Sequence, residues 1–151
     1  MMKRWWLLLL PLLLQARCDT IQQDIPYVPV DFEINVNLPA YQALTVPTGH
    51  MLLSGGSKGV VVYRYTLDQF VALDRHATAD IPAGCQVEIS DDGLFLEDPC
   101  SDSRWLIIDG SVVEGPATAP LHRYYTSWTP PVLRVYNNRR TCKSRRHGPA
   151  C

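Results

Sequence analysis

Short stretches in which apolar and polar residues alternate are the feature that most constrains this chain. Residues 30–38, VDFEINVNL, alternate in this way. Because successive side chains of a strand point to opposite faces, the pattern predicts a strand with one buried face. More short runs rich in β-branched and aromatic residues follow, each bounded by turn residues, at 60–65, 70–74, 86–90, 94–97, 105–108, 122–128 and 132–136. This spacing predicts an all-β antiparallel sandwich or barrel.

Turn residues separate the predicted strands. Asp91-Asp92-Gly93 lies between two of them and predicts a hairpin. The segment 54–59, SGGSKG, predicts a loop with positive φ angles or a close approach of the backbone. The twelve prolines argue against long helices, and only 66–77 has a pattern that also fits a helical turn or two.

The N-terminal residues have the composition of an export signal. Two basic residues at positions 3 and 4 precede an apolar run over 5–14, which is too short to span a bilayer as a helix. We therefore assign 1–17 to a secretory signal peptide of the lipoprotein type and 18–26 to a tether. Both lie outside the predicted fold.

Cys18 follows the apolar run directly and resembles the cysteine of the bacterial lipobox, which becomes the lipidated first residue. Gln15 and Arg17 depart from the lipobox pattern. We expect a lipid on Cys18 and a location in the bacterial cell envelope, anchored to the membrane. The alternative is ordinary cleavage with Cys18 as a spare thiol, which gives a periplasmic or secreted protein.

The near-neutral net charge of −1 hides two parts of opposite sign. Residues 19–138 have a net charge of −9, whereas 139–151 have +5. An acidic body repels phosphate groups, and the basic tail has no aromatic residues on which bases could stack, so nucleic acid is not an expected partner. We predict one β-domain over 27–138 and a disordered tail over 139–151. The tail residues Cys142, His147 and Cys151 are too few for a closed metal site, which needs four ligands.

Three motifs in a fixed order resemble the Rieske domain. They are DRHATA at 74–79, DPCSDSRW at 98–105 and GPATAPL at 115–121. In the family, the first two correspond to the loops that hold the cluster, and the third to the proline loop that covers it. The resemblance extends over about half of the chain, from Gly59 to Tyr136, and implies a Rieske-like antiparallel β-fold with both loops together at one tip.

The same resemblance implies that the cluster ligands are absent. A Rieske centre binds a 2Fe-2S cluster through two cysteines and two histidines. The family spacings C-x-H and C-x-x-H occur nowhere in this chain. The matching positions are Ala77 and Ala79 in the first loop, and Asp98 and Ser101 in the second. The resemblance therefore implies a domain without a cofactor or a metal.

Cys100 stands where many members of the family have a non-ligand disulfide cysteine. Cys85 and Cys100 are the only cysteines of the predicted β-domain. Export would place them where disulfides persist, and we predict that they pair. Such a bond closes a loop of about 15 residues and contributes about 3 kcal/mol in the chain-entropy model. The alternative is two free buried thiols.

The other polar residues of these loops predict no replacement site. His76, beside Ala77, is interpreted as an exposed loop histidine. Asp98 and Asp102 are interpreted as solvated carboxylates, because calcium needs six to eight oxygen ligands. His50 and His122 have no nucleophile at a spacing that suggests a catalytic triad, and we expect them to be structural or exposed.

The sequence thus favours a non-enzymatic envelope lipoprotein whose cluster-free domain is a binding or structural module. Its expected partners are the membrane, through the lipid on Cys18, and an unidentified envelope protein or ligand. The alternative is an electron-transfer or oxidoreductase subunit that holds a 2Fe-2S cluster with atypical ligands.

Overall fold

The described residues, 24–137 of a computed structural model, form strands and two short 3-10 helices. The strands are β1 (Asp31–Asn35), β2 (His50–Leu53), β3 (Val60–Arg64), β4 (Phe70–Asp74), β5 (Glu88–Ile89), β6 (Phe95–Glu97), β7 (Arg104–Leu106), β8 (Val112–Glu114), β9 (Arg123–Thr129) and β10 (Val132–Tyr136). The 3-10 helices are Pro39–Thr45 and Ile81–Ala83. The predicted signal peptide, Cys18 and the basic tail lie outside these residues. Between 24 and 137, no helix is long and apolar enough to cross a membrane.

The strands form two antiparallel sheets, which confirms the predicted all-β class. The larger sheet has the order β1-β10-β9-β4-β3-β2, and the smaller has the order β5-β6-β7-β8. The segment 98–103 connects β6 to β7 in the smaller sheet, whereas 74–79 follows β4 of the larger sheet. The two loops of interest thus leave different sheets.

Strands β3 and β4 are buried along their whole length because each supplies both halves of the core. Val60 and Val62 pack into one apolar cluster, and Val61 and Tyr63 pack into the other. Since neighbouring side chains of a strand point to opposite faces, a strand between two clusters needs apolar residues on both faces. Only the last residue of each strand, Arg64 or Asp74, is charged. The second cluster contains the fully buried indole of Trp105 and lies under the two loops.

Two local predictions are confirmed and two are wrong. Gly93 has φ +70° in the turn between β5 and β6, and Gly55, Gly56 and Gly59 all have positive φ, as predicted for these turns. The strand predicted over 30–38 ends at Asn35. Pro39 then begins a 3-10 helix, and proline is tolerated there because the first N–H groups of a helix have no partner within the helix. The helical alternative for 66–77 is wrong because β4 occupies its centre.

Candidate functional site

The second loop, 98–103, is closed by hydrogen bonds around Asp98. The side chain of Asp98 is only 3% exposed. Its Oδ1 accepts from the backbone N–H of Cys100 at 3.0 Å, and its Oδ2 accepts from the hydroxyl of Ser101 at 2.5 Å. The interpretation of Asp98 as a solvated carboxylate is therefore wrong, because Cys100 and Ser101 of the same tight turn donate hydrogen bonds to it. Asp102, at φ +57°, is exposed as expected.

The proline loop packs directly on this second loop. The backbone N–H of Ala117 donates to Ser103 Oγ at 3.1 Å. Gly115, at φ +90°, lies so close that a Cβ atom there would come within 2.5 Å of Ser103 Cα. Only glycine allows this approach, so the GPATAPL motif begins where the two backbones touch.

The disulfide between Cys85 and Cys100 joins the region of the first loop to the second, and this confirms the predicted pairing. The backbone N–H of Ala77 donates to the carbonyl of Cys85 at 3.0 Å. A hydrogen bond therefore links Ala77 to Cys85, and the disulfide links Cys85 to Cys100. The backbone N–H of Cys100 in turn donates to the side chain of Asp98. The two loops therefore lie together, as expected from the resemblance.

The first loop contributes apolar surface at the positions of the absent ligands. Ala77 has no exposed surface and belongs to the cluster around Trp105, against which Ala79 also packs. Between them, Thr78 donates its hydroxyl to the carbonyl of Ala119 at 2.6 Å, and the Trp105 indole N–H donates to the same carbonyl at 3.1 Å. The assignment of Ala77 and Ala79 to ligand positions remains a prediction from the resemblance.

A buried carboxylate that the sequence analysis did not single out lies at the end of β4. Asp74 is fully buried. It accepts hydrogen bonds from the backbone N–H groups of Ser57 at 2.7 Å, His76 at 2.8 Å and Lys58 at 3.3 Å, and from the hydroxyl of Tyr124 at 2.5 Å. Burial, the hydrogen bond to Asp74 and the charge of that carboxylate, in decreasing order, raise the pKa of Tyr124 far above its ordinary value.

His76 is buried rather than exposed, which corrects the interpretation of this residue. Its ring is 3% exposed, with Nδ1 2.7 Å from Ser57 Oγ and Nε2 2.9 Å from the carbonyl oxygen of Ile81. A carbonyl only accepts, so Nε2 carries a proton, and Nδ1 is hydrogen-bonded to the Ser57 hydroxyl. Both ring nitrogens are used within the protein.

The rings of the other two histidines of residues 24–137 contact residues outside the two loops, although the backbone carbonyl of His122 accepts from the N–H of Asp74 at 2.8 Å. His50, partly buried, places Nδ1 3.4 Å from the carbonyl oxygen of Thr48. His122 is exposed and meets the ring of Tyr124 edge-on, with ring centroids 5.0 Å apart.

A cleft of about 640 Å³ opens beside the second loop, and we call it the acidic cleft. Arg104 in its wall pairs with Glu97 at 3.0 Å and with Glu114 at 3.6 Å, and its guanidinium lies over the ring of Phe95. No other basic residue lines the cleft. Six carboxylate side chains line it, from Glu88, Asp91, Asp92, Glu97, Asp98 and Asp102.

No family model and no curated protein matches this chain. Among solved structures, the chain is similar to the cyanobacterial plasma membrane Rieske protein of Synechocystis PCC 6803, with 24% identity over 58% of this chain and 85% of that chain and a TM-score of 0.49. It is also similar to the ferredoxin of carbazole 1,9a-dioxygenase from Nocardioides aromaticivorans IC177, with 15% identity over 74% of this chain and 100% of that chain and a TM-score of 0.49.

A third similar structure is the complex of reduced oxygenase and oxidized ferredoxin in carbazole 1,9a-dioxygenase. The identity is 22% over 60% of this chain and 82% of that chain, and the TM-score is 0.44. The first of these structures is described as a Rieske protein, and the other two contain a ferredoxin.

Proposed function

We propose that this domain holds no iron-sulfur cluster and acts as a non-enzymatic binding or structural module. The proposal rests on the side chains found at the four positions where the resemblance places cluster ligands. Ala77 and Ala79 have no side-chain donor atom and pack against the apolar core. Asp98 and Ser101 are hydrogen-bonded to each other through their side chains.

The other donors of the described part do not fit a cluster either. A Rieske centre needs two thiolates and two imidazoles. The two cysteines of residues 24–137 are bonded to each other, and both ring nitrogens of His76 have protein partners. Opening the disulfide would supply thiolates but not the second pair of ligands, because the ring of His50 contacts Thr48 and the ring of His122 packs on Tyr124.

The alternative, an electron-transfer or oxidoreductase subunit, requires a 2Fe-2S cluster held by atypical ligands such as Asp98. Iron analysis and a visible absorption spectrum of the purified protein separate the two proposals, since a 2Fe-2S cluster gives two irons per chain and a coloured protein. Absence of both, in a folded protein, favours the binding module.

The acidic cleft is the surface that we propose for a partner, and its charge favours a cationic one. Six carboxylates with one guanidinium give a concentrated negative potential, which attracts basic groups and repels nucleic acid. A lysine-rich peptide is a suitable probe. We expect its binding to weaken steeply with salt concentration, because exposed charges are screened over about 10 Å at 0.1 M.

The role of the cleft can be tested by removing its charge without changing its shape. The triple variant Glu88→Gln, Asp91→Asn and Asp102→Asn neutralises exposed carboxylates of the cleft and should weaken peptide binding at least tenfold. A matched variant neutralises three carboxylates that do not line it, with Asp24→Asn, Glu33→Gln and Asp68→Asn. Equal losses in both variants would show attraction by net charge alone and contradict a specific surface.

We further propose that a lipid on Cys18 holds the protein on a membrane of the bacterial envelope. Two or three acyl chains anchor a protein firmly, whereas a single chain does not. Radiolabelled palmitate should be incorporated by the native chain and not by Cys18→Ala. A soluble, unlabelled native protein would contradict the anchor and leave a periplasmic or secreted module.

A further inference from the structure

We propose that reduction of the disulfide between Cys85 and Cys100 creates a binding site for one divalent metal ion of the Zn²⁺ type, with both thiolates and the carboxylate of Asp98 as ligands. The site lies beside the acidic cleft. It does not rest on the proposed function, since it uses the cysteine pair rather than Ala77, Ala79 and Ser101.

The three ligands already converge. The two Sγ atoms and a carboxylate oxygen of Asp98 all lie within 4.8 Å of one another. Zinc binds thiolate sulfur at about 2.3 Å and carboxylate oxygen at about 2.0–2.2 Å, so ligands around one ion are separated by about 3–4 Å. Once the sulfur–sulfur bond is broken, the two sulfurs need only move apart by a small distance to hold an ion.

The burial of Asp98 is an independent observation that points to a cation. Buried carboxylates are usually paired with a positive charge or bound to a metal. Asp98 is 3% exposed, yet it makes no ion pair with any residue of the described part, and its side-chain partners are the neutral groups Cys100 N–H and Ser101 Oγ–H. A carboxylate can accept about four hydrogen bonds, so acceptor capacity remains for a metal ion.

Solvent reaches this site from two directions. Cys100 is exposed and Cys85 is partly buried, so a reductant can attack the disulfide at Cys100. Asp98 lines the acidic cleft, whose carboxylates raise the local concentration of cations. An ion can therefore enter without opening of the apolar core.

The chemistry balances with a dithiol as reductant. Two electrons and two protons from the dithiol break the sulfur–sulfur bond and form two thiols, while the dithiol itself becomes a disulfide. Each thiol then releases its proton as its sulfur binds the ion. Two thiolates favour Zn²⁺ over Mg²⁺ or Ca²⁺, and three protein ligands leave a fourth position for water.

The test uses the full chain with Cys18, Cys142 and Cys151 replaced by serine, so that only the two cysteines of the domain remain. We call this the parent protein. After reduction with a phosphine, titration with Zn²⁺ should give about one ion bound per chain, and the oxidised parent should bind none at this site. Cobalt in place of zinc should show the charge-transfer absorption of two thiolates.

Asp98→Asn should weaken zinc binding to the reduced protein at least tenfold, because a neutral amide replaces a charged ligand. Asp68→Asn is the control, since Asp68 is an exposed carboxylate that does not line the acidic cleft, and the affinity of this variant should stay within about twofold of the parent. Equal affinity of Asp98→Asn and the parent, or zinc binding that does not depend on reduction, would overturn the proposal.

Circular dichroism covers the case in which the reduced chain unfolds without metal. Zinc should then restore the β-sheet spectrum of the parent and fail to do so for Asp98→Asn at the same concentration. Zinc bound by a chain that stays unfolded would contradict a site built by the fold.

Discussion

Asp74 shows how one buried side chain can connect distant parts of the chain. Its carboxylate accepts hydrogen bonds from the loop at Ser57, from its own strand end at His76 and from Tyr124 of β9, which is 50 positions away in the sequence. All these donors are neutral, and each would be left unpaired in a dry interior if the carboxylate were lost.

We therefore expect Asp74→Asn to lower the free energy of unfolding by about 2–4 kcal/mol, because the amide group turns a donor toward donors. Urea unfolding measures the loss. Asp68→Asn, at an exposed turn position, is the control and should change stability by less than about 0.5 kcal/mol. Similar small changes in both variants would show that the carboxylate is dispensable.

Tyr124 gives the stability of the domain a specific dependence on alkaline pH. Its pKa is raised in the folded state, so the unfolded chain loses the tyrosine proton first, near pH 10. The stabilising contribution is fully present below that pH and is lost as the pH rises toward the folded-state pKa.

Urea unfolding between about pH 9 and 11 tests this dependence. The native protein should lose stability with rising pH more steeply than Tyr124→Phe, which has no ionisable group at this position. Tyr125→Phe, an exposed position on the same strand, should keep the native slope. Equal slopes in the native protein and Tyr124→Phe would contradict a raised pKa.

The burial of these residues could be predicted only in part from the sequence. Asp74 ends the apolar run FVALD, and a continuous apolar run is typical of a strand buried on both faces, which is a usable signal. Nothing local marks Ser57 as the partner of His76, or Tyr124 as the partner of Asp74, because those contacts depend on how β3, β4 and β9 pair.

The disulfide connects the smaller sheet, through Cys100 between β6 and β7, to the segment that follows β4, which contains Cys85. Its two cysteines are 15 positions apart. Cys85→Ser and Cys100→Ser should each lower the free energy of unfolding by about 3 kcal/mol, and by similar amounts, because both remove the same constraint on the unfolded chain. Denaturant unfolding measures both losses, and clearly unequal values would contradict a single shared role.

The glycine loop before β3 requires a residue without a side chain at Gly56. At φ +61°, an added Cβ would lie 2.4 Å from both Asp74 Oδ2 and the Tyr124 hydroxyl oxygen. Gly84 has a similar φ of +64°, but an added Cβ there would meet only the flexible end of Lys58.

Gly56→Ala should therefore destabilise the domain by at least about 1 kcal/mol more than Gly84→Ala, since both share the backbone strain and only the first adds a clash. Thermal and urea unfolding of the two variants give the difference. Equal destabilisation would show that the buried network shifts freely to make room.

Strand positions could be predicted from sequence where the local pattern is strong. The runs at 60–65, 70–74 and 132–136 correspond closely to β3, β4 and β10. Strand β2, with the sequence HMLL, has no alternation and no β-branched residue, so periodicity does not predict it. Its place is fixed by pairing with β3, a contact that the segment itself does not encode.

The sequence predicts the antiparallel class and the disulfide better than it predicts the path of the chain. Strand β1 pairs with β10, which brings together the two ends of the described residues. Composition and turn signals do not specify such distant pairing. For the same reason, the sequence does not predict the acidic cleft or the burial of Asp98, because both depend on contacts between distant segments.

The proposal that this domain folds without an iron-sulfur cluster is tested by the iron content and visible spectrum of the protein after expression with added iron and purification without oxygen. We expect a colourless protein with the circular dichroism of β-sheet and far less than one iron per chain. A brown protein with about two irons per chain, as a 2Fe-2S cluster requires, would contradict it.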